Sequence, residues 1–148
     1  MKLQDYFNQV ALELKKINPS KDTYFINTRL SESISASATE DVIFFTQIIK
    51  NPIYGLVVES LFATKNSISD ITIGINSLQY STTPISKIKN VSFALLPIKI
   101  ESNQTESYTI RLKILWGSDN NLFHYSIPVE RFEEILNLKK ALDTFIYK

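Results

Sequence analysis

Leu3, Phe7, Val10, Leu14 and Ile17 recur at spacings of three and four, with Asp5, Asn8, Gln9, Glu13, Lys15 and Lys16 between them. One apolar stripe on a 3.6-residue period predicts an amphipathic helix over 3–17. Pro19 restricts Asn18 and cannot extend the hydrogen-bond ladder, so the helix is expected to stop near Asn18. The next stretch reads both ways. Tyr24, Ile26, Thr28 and Leu30 alternate like a strand, whereas Ile26, Leu30, Ile34 and Ala38 recur every four residues; a helix over about 25–38 is the preferred reading.

From Glu40 the pattern changes to short blocks rich in Val, Ile, Phe, Thr and Tyr separated by turn residues, which predicts successive strands. The block 41–49 could be a short helix capped by Thr39, but its β-branched and aromatic content favours a strand. Asn51-Pro52 marks a turn, 54–63 a second strand, Asn66-Ser67 a turn, 71–80 a third strand interrupted at Asn76-Ser77, and 85–93 a fourth. Pro97 cannot donate to a central ladder, so 95–100 is expected at an edge or bulge where the sheet bends. Tyr108, Ile110, Leu112, Ile114 and Trp116 alternate with Thr109, Arg111 and Lys113, giving a strand with one apolar face. Residues 117–121 then form a hairpin loop into 122–127. Pro128 opens a helical pattern carried by Val129, Phe132, Ile135, Leu136, Leu142, Phe145 and Ile146. Glu130, Glu133 and Glu134 lie near its start and Lys139 and Lys140 farther on, the polarity that complements a helix dipole. The expected class is α+β in one domain, 1–148.

Composition narrows the chemistry. Sixteen Lys+Arg against fifteen Asp+Glu give a net charge of +1, so no overall field favours nucleic acid or an acidic membrane. There is no cysteine, which removes disulfides, thiolate metal sites and thiol catalysis, and His124 is the sole histidine. Gly55, Gly74 and Gly117 are the only glycines, so neither a phosphate-cradling loop nor a dinucleotide turn can be written. No cofactor is expected. The N-terminus turns polar at Gln4-Asp5, and Val42–Phe45 is far shorter than the roughly 20 apolar residues of a membrane-spanning helix. A cytoplasmic location is therefore the expectation. Asn90-Val91-Ser92 and Asn103-Gln104-Thr105 fit a glycosylation sequon that short patterns produce by chance.

His124 could act as a base or pH switch, but between Phe123 and Tyr125 it reads as an ordinary strand residue. Glu133-Glu134 and Glu40-Asp41 sit at expected element starts, where dipole or solvation accounts for them. Lys87, Lys89, Lys99, Arg111 and Lys113, with Trp116 and Tyr108 nearby, could form a modest basic and aromatic surface for single-stranded nucleic acid; a solvated sheet face is the plainer account.

The order of elements resembles the pleckstrin-homology-like architecture in its bacterial form. Thr39–Phe45 looks like its acidic, then apolar, first strand; Gly55 through Leu61–Thr64 looks like the second and Ile71–Tyr80 like the third. Pro84–Val91 resembles the step into the following strand, and Ser126–Ile135 the passage into the closing helix. The resemblance covers about 40–146 and leaves 1–38 as an N-terminal helical extension. It implies an antiparallel, strongly bent sheet or partly open barrel closed by a C-terminal helix. It carries no functional residue across, and the scaffold serves lipid binding, peptide binding and adaptor roles alike. The first-hairpin turn offers only Lys50 before Asn51-Pro52, where lipid-binding members present several cations, so phosphoinositide binding is not expected.

Three functions stay open. A non-catalytic protein-interaction or adaptor module, self-associating or accessory to a larger bacterial assembly, is the leading expectation. A ligand- or lipid-binding module and a small enzyme built from Ser, Lys, Asp and Glu are the alternatives.

Overall fold

A computed structural model describes residues 1–19, 24–34, 36, 39–74, 77–98 and 107–147. They fall into two compact units, Met1–Pro84 and Ile85–Lys148.

The first unit contains α1 (Leu3–Ile17), α2 (Tyr24–Ser33) and four strands, β1 (Ile43–Asn51), β2 (Gly55–Ala63), β3 (Ser67–Ile73) and β4 (Leu78–Pro84). The strands form an antiparallel meander in the order β1-β2-β3-β4. Of the predicted stripe on α1, Val10 and Leu14 are fully inside and Leu3, Phe7 and Ile17 sit at its margin, while Tyr6, outside the predicted stripe, is buried at its centre. Tyr6, Val10 and Leu14 are buried with Leu30 of α2 against Val58, Phe62, Ile71 and Ile73. The Tyr6 ring lies 4.8 Å from Phe62 and 5.2 Å from Phe44, centroid to centroid. Phe44 stands opposite Phe62 and Val58 opposite Ile73, so period-two alternation puts them on the helix-covered face. The start of α1 is fastened to the sheet: the Val42 N–H donates to the Met1 carbonyl at 2.8 Å, and Lys2 Nζ lies 2.9 Å from Asp41 Oδ1. The Lys2 ammonium, through that hydrogen bond and its charge, holds the Asp41 carboxyl below its usual range. Asp5 accepts the Lys2 backbone N–H at 2.8 Å, satisfying one donor at the helix entrance.

The second unit contains β5 (Ile88–Ile98), β6 (Ser107–Trp116), β7 (Asn121–Pro128) and α3 (Phe132–Ile146), with short 3-10 turns at Ile85–Lys87 and Val129–Arg131. β6 is central in the order β5-β6-β7. Its even positions Ile110, Leu112 and Ile114 are buried, while Lys113 between them is exposed. α3 packs on β5 and buries Ile135, Leu138 and Leu142, and the Phe132 ring meets Phe93 edge-on at 5.8 Å. Arg131 grips Glu134 with two parallel hydrogen bonds of 2.8 and 2.7 Å at the start of that helix.

The α+β class and both terminal helices are present, but the strands divide between two antiparallel sheets and, among the described residues, close no barrel. Three further expectations need correcting. The second helix ends at Ser33, not near 38: the Ser33 hydroxyl donates to the Arg29 carbonyl at 2.9 Å, a local bond that competes with helix continuation. Ile71–Tyr80 is not one strand; the Gly74 N–H donates to the Ser77 carbonyl at 2.9 Å and the chain reverses between β3 and β4. The fourth strand begins at Ile88, after a 3-10 turn, and runs to Ile98. Pro97 does sit on an edge strand, yet the register irregularity falls between Ile88 and Asn90. Asn103-Gln104-Thr105 and Asn76 lie outside the described residues.

Candidate functional site

Among the described residues, the β1–β2 turn carries the most exposed large apolar side chain, Ile53. Asn51 opens it and Pro52 follows, the favoured residues for the first two positions of a type I turn. Asn51 Oδ1 accepts the backbone N–H of Ile53 at 2.8 Å and of Tyr54 at 3.0 Å. Gly55 closes the turn with φ +75°, a left-handed conformation in which a Cβ is strained. The Asx bonds and the fixed φ of Pro52 leave this loop fewer conformations to lose on binding. It nonetheless presents apolar side chains: Ile53 is 80% exposed, Leu56 50% and Tyr54 45%. The Tyr54 hydroxyl accepts Gln79 Nε2 at 2.9 Å, tying the tip to β4 of the same sheet. None of these three residues stands out in the sequence as part of a site. The available signal was an isoleucine directly after Asn-Pro, where a turn ordinarily carries a polar residue.

The basic and aromatic set is partly brought together. Lys87, Lys89 and Trp116 line one groove of about 490 Å³ beside the β6–β7 turn, where the Gly117 N–H donates to the Lys87 carbonyl at 3.0 Å. Lys89 Nζ donates to Asn120 Oδ1 at 2.8 Å, and Asp119 lines the same groove. Trp116 stacks obliquely on Phe123 at 5.6 Å. Arg111 and Lys113 occupy odd positions of β6, on the face opposite Ile114 and Trp116, and do not join the groove. Lys99 lies outside the described residues. His124 is exposed on β7 directly across from Lys113. Glu133 and Glu134 occupy the first turn of α3, and Asp41 pairs with Lys2.

Among the described residues no group of three or more His, Asp or Glu gathers to hold a metal ion, and no helix is long and apolar enough to cross a membrane. One carboxyl is perturbed by its setting. Glu59 on β2 accepts Gln47 Nε2 at 2.9 Å; burial, with repulsion from Asp70, pushes its pKa above the ordinary 4.5 against the opposing effect of that hydrogen bond. A folded-state pKa above the unfolded one means stability present below pH 4.5 and lost as pH rises through the folded value. Glu59→Gln keeps an acceptor for Gln47 and removes the charge. Its melting temperature is expected to match wild type in acid and exceed it at neutral pH, and thermal melts over that range check this. A constant difference at every pH would show that Glu59 ionises as freely folded as unfolded.

Comparisons with protein-family models, with curated proteins and with solved structures yield no match to this chain, so the residues themselves carry its functional reading.

Proposed function

We propose that this protein is a non-catalytic interaction module of the adaptor type, built on a pleckstrin-homology-like plan and serving a larger bacterial assembly in the cytoplasm. The plan is supported by the succession of antiparallel strands ending in an amphipathic helix. The interaction role rests on one observation: a conformationally restricted hairpin tip that exposes Ile53, Tyr54 and Leu56 together. Singly exposed apolar residues are common on any surface, but three within four positions on a fixed turn make an anchor that a partner's pocket can desolvate.

The test is native mass spectrometry of the tagged protein drawn gently from its own cell lysate, alongside the variant Ile53→Ser/Leu56→Ser. These side chains are solvent-exposed, so the variant should retain stability within about 0.5 kcal/mol. The expected result is a stoichiometric partner with the wild type and its loss with the variant. A bare chain carrying a discrete small-molecule mass would instead support ligand binding.

A further inference from the structure

α2 packs against β4, where Leu78 joins the cluster around Leu30, and the outer edge of the strand offers backbone groups that no other strand takes up among the described residues. Register with β3 is unbroken from Leu78 opposite Ile73 to Pro84 opposite Ser67. The Gly74–Ser77 pair is hydrogen-bonded, and alternation along an antiparallel ladder makes Gln79, Ser81 and Thr83 the next bonded partners of β3. The N–H and C=O groups of Leu78, Tyr80 and Thr82 therefore point away from the sheet. Among the described residues no strand pairs with that side of β4, and Gln79, Tyr80, Ser81 and Thr82 are all exposed.

Natural edges are normally blunted by charge, proline or a bulge. β5, an edge of the other sheet, has all three in Lys89, Pro97 and the irregularity between Ile88 and Asn90. β4 has no charged residue along Leu78–Pro84, and its proline is the last residue. We infer that β4 pairs antiparallel with β4 of a second copy of this chain, joining two four-stranded sheets about a two-fold axis at Tyr80. That register sets Leu78 opposite Thr82 of the second copy and Tyr80 opposite Tyr80, so every outward N–H and C=O of the three residues finds a counterpart before Pro84 is reached. An isologous contact about this axis sets Tyr80 against its own copy, where a charge would meet its like; β4 carries no charge there or elsewhere along the strand. The inference names a partner within the interaction-module reading and rests on it; the edge it uses is bonded to the hairpin tip through Gln79 and Tyr54, but engages neither Ile53 nor Leu56.

Sedimentation of the purified chain from low to high micromolar concentration is expected to show a reversible monomer–dimer equilibrium. Tyr80→Lys and Tyr80→Glu should each be monomeric at concentrations where wild type is dimeric, because like charges then meet on the axis, and mixing the two should restore a dimer. Thr82→Pro provides a second variant: it removes an outward N–H, leaves the ladder to β3 intact, and should also shift the equilibrium to monomer. A wild-type monomer throughout, or a dimer indifferent to these substitutions, would overturn the self-pairing. If such a monomer still recovers a partner through Ile53 and Leu56, the interaction-module reading stands without it; if it recovers none, both fall.

Discussion

Leu142→Asp is expected to abolish the folded state of the second unit. Leu142 lies on α3, is fully buried, and shares the inward stripe with Ile135 and Leu138. Removing a buried leucine side chain costs about 2–5 kcal/mol by itself. A carboxylate in its place adds several kcal/mol of desolvation unless a cation turns inward to meet it. Lys139, one turn earlier, already bonds Asp143 at 2.8 Å on the helix flank. The total rivals the roughly 5–15 kcal/mol that holds a typical domain together. Circular dichroism should show loss of cooperative melting, whereas Lys140→Asp, exposed on the same helix, should leave the melt within about 0.5 kcal/mol of wild type. An unchanged transition for Leu142→Asp would show that α3 does not pack through this stripe.

The second large effect separates a side chain's volume from its polarity. Tyr6 is completely buried where α1 meets β2, and Tyr6→Ala is expected to cost about 3–5 kcal/mol. Tyr6→Phe should cost less than about 1 kcal/mol, because the phenol gains little from its hydroxyl. That oxygen is biased by the nearby Ser60 hydroxyl, yet neither atom has a partner within full hydrogen-bonding geometry. Burial also holds the Tyr6 phenol far above its ordinary 10.0. The sign follows: the stability linked to the neutral phenol is complete below pH 10 and is lost as pH rises beyond it. Tyr6→Phe should therefore resist alkaline unfolding better than wild type. A Phe variant as unstable as the Ala variant would place an essential hydrogen bond on that hydroxyl.

The two terminal helices were legible because Leu3 to Ile17 and Ile135 to Leu142 keep helical spacing, although the buried Tyr6, Glu13 and Leu138 were not among the positions the stripes picked out. The β6–β7 hairpin was legible for the analogous reason at period two. The β3–β4 reversal was not, since Ile71, Ile73, Leu78 and Tyr80 give the same alternation on either side of a hairpin as along one strand. Division of the strands between two sheets was hidden too, because alternation fixes a strand's faces but not its neighbours. Among the candidate site residues, parity alone separates Arg111 and Lys113 from Trp116, a distinction the sequence contains and charge grouping overrode. The hairpin tip was obscured by its own composition, Ile53-Tyr54-Gly55-Leu56 reading as the approach to a strand.

The fastening of α1 to β1 and β2 also sets an order of events during synthesis. α1 leaves the ribosome before Val58, Phe62 and the β3 residues that cover its stripe. At about 5–20 residues per second, Tyr6, Val10 and Leu14 spend seconds without their eventual neighbours. In that interval the nascent segment is a short amphipathic peptide with an open apolar side, which is covered only when the β2–β3 hairpin is complete.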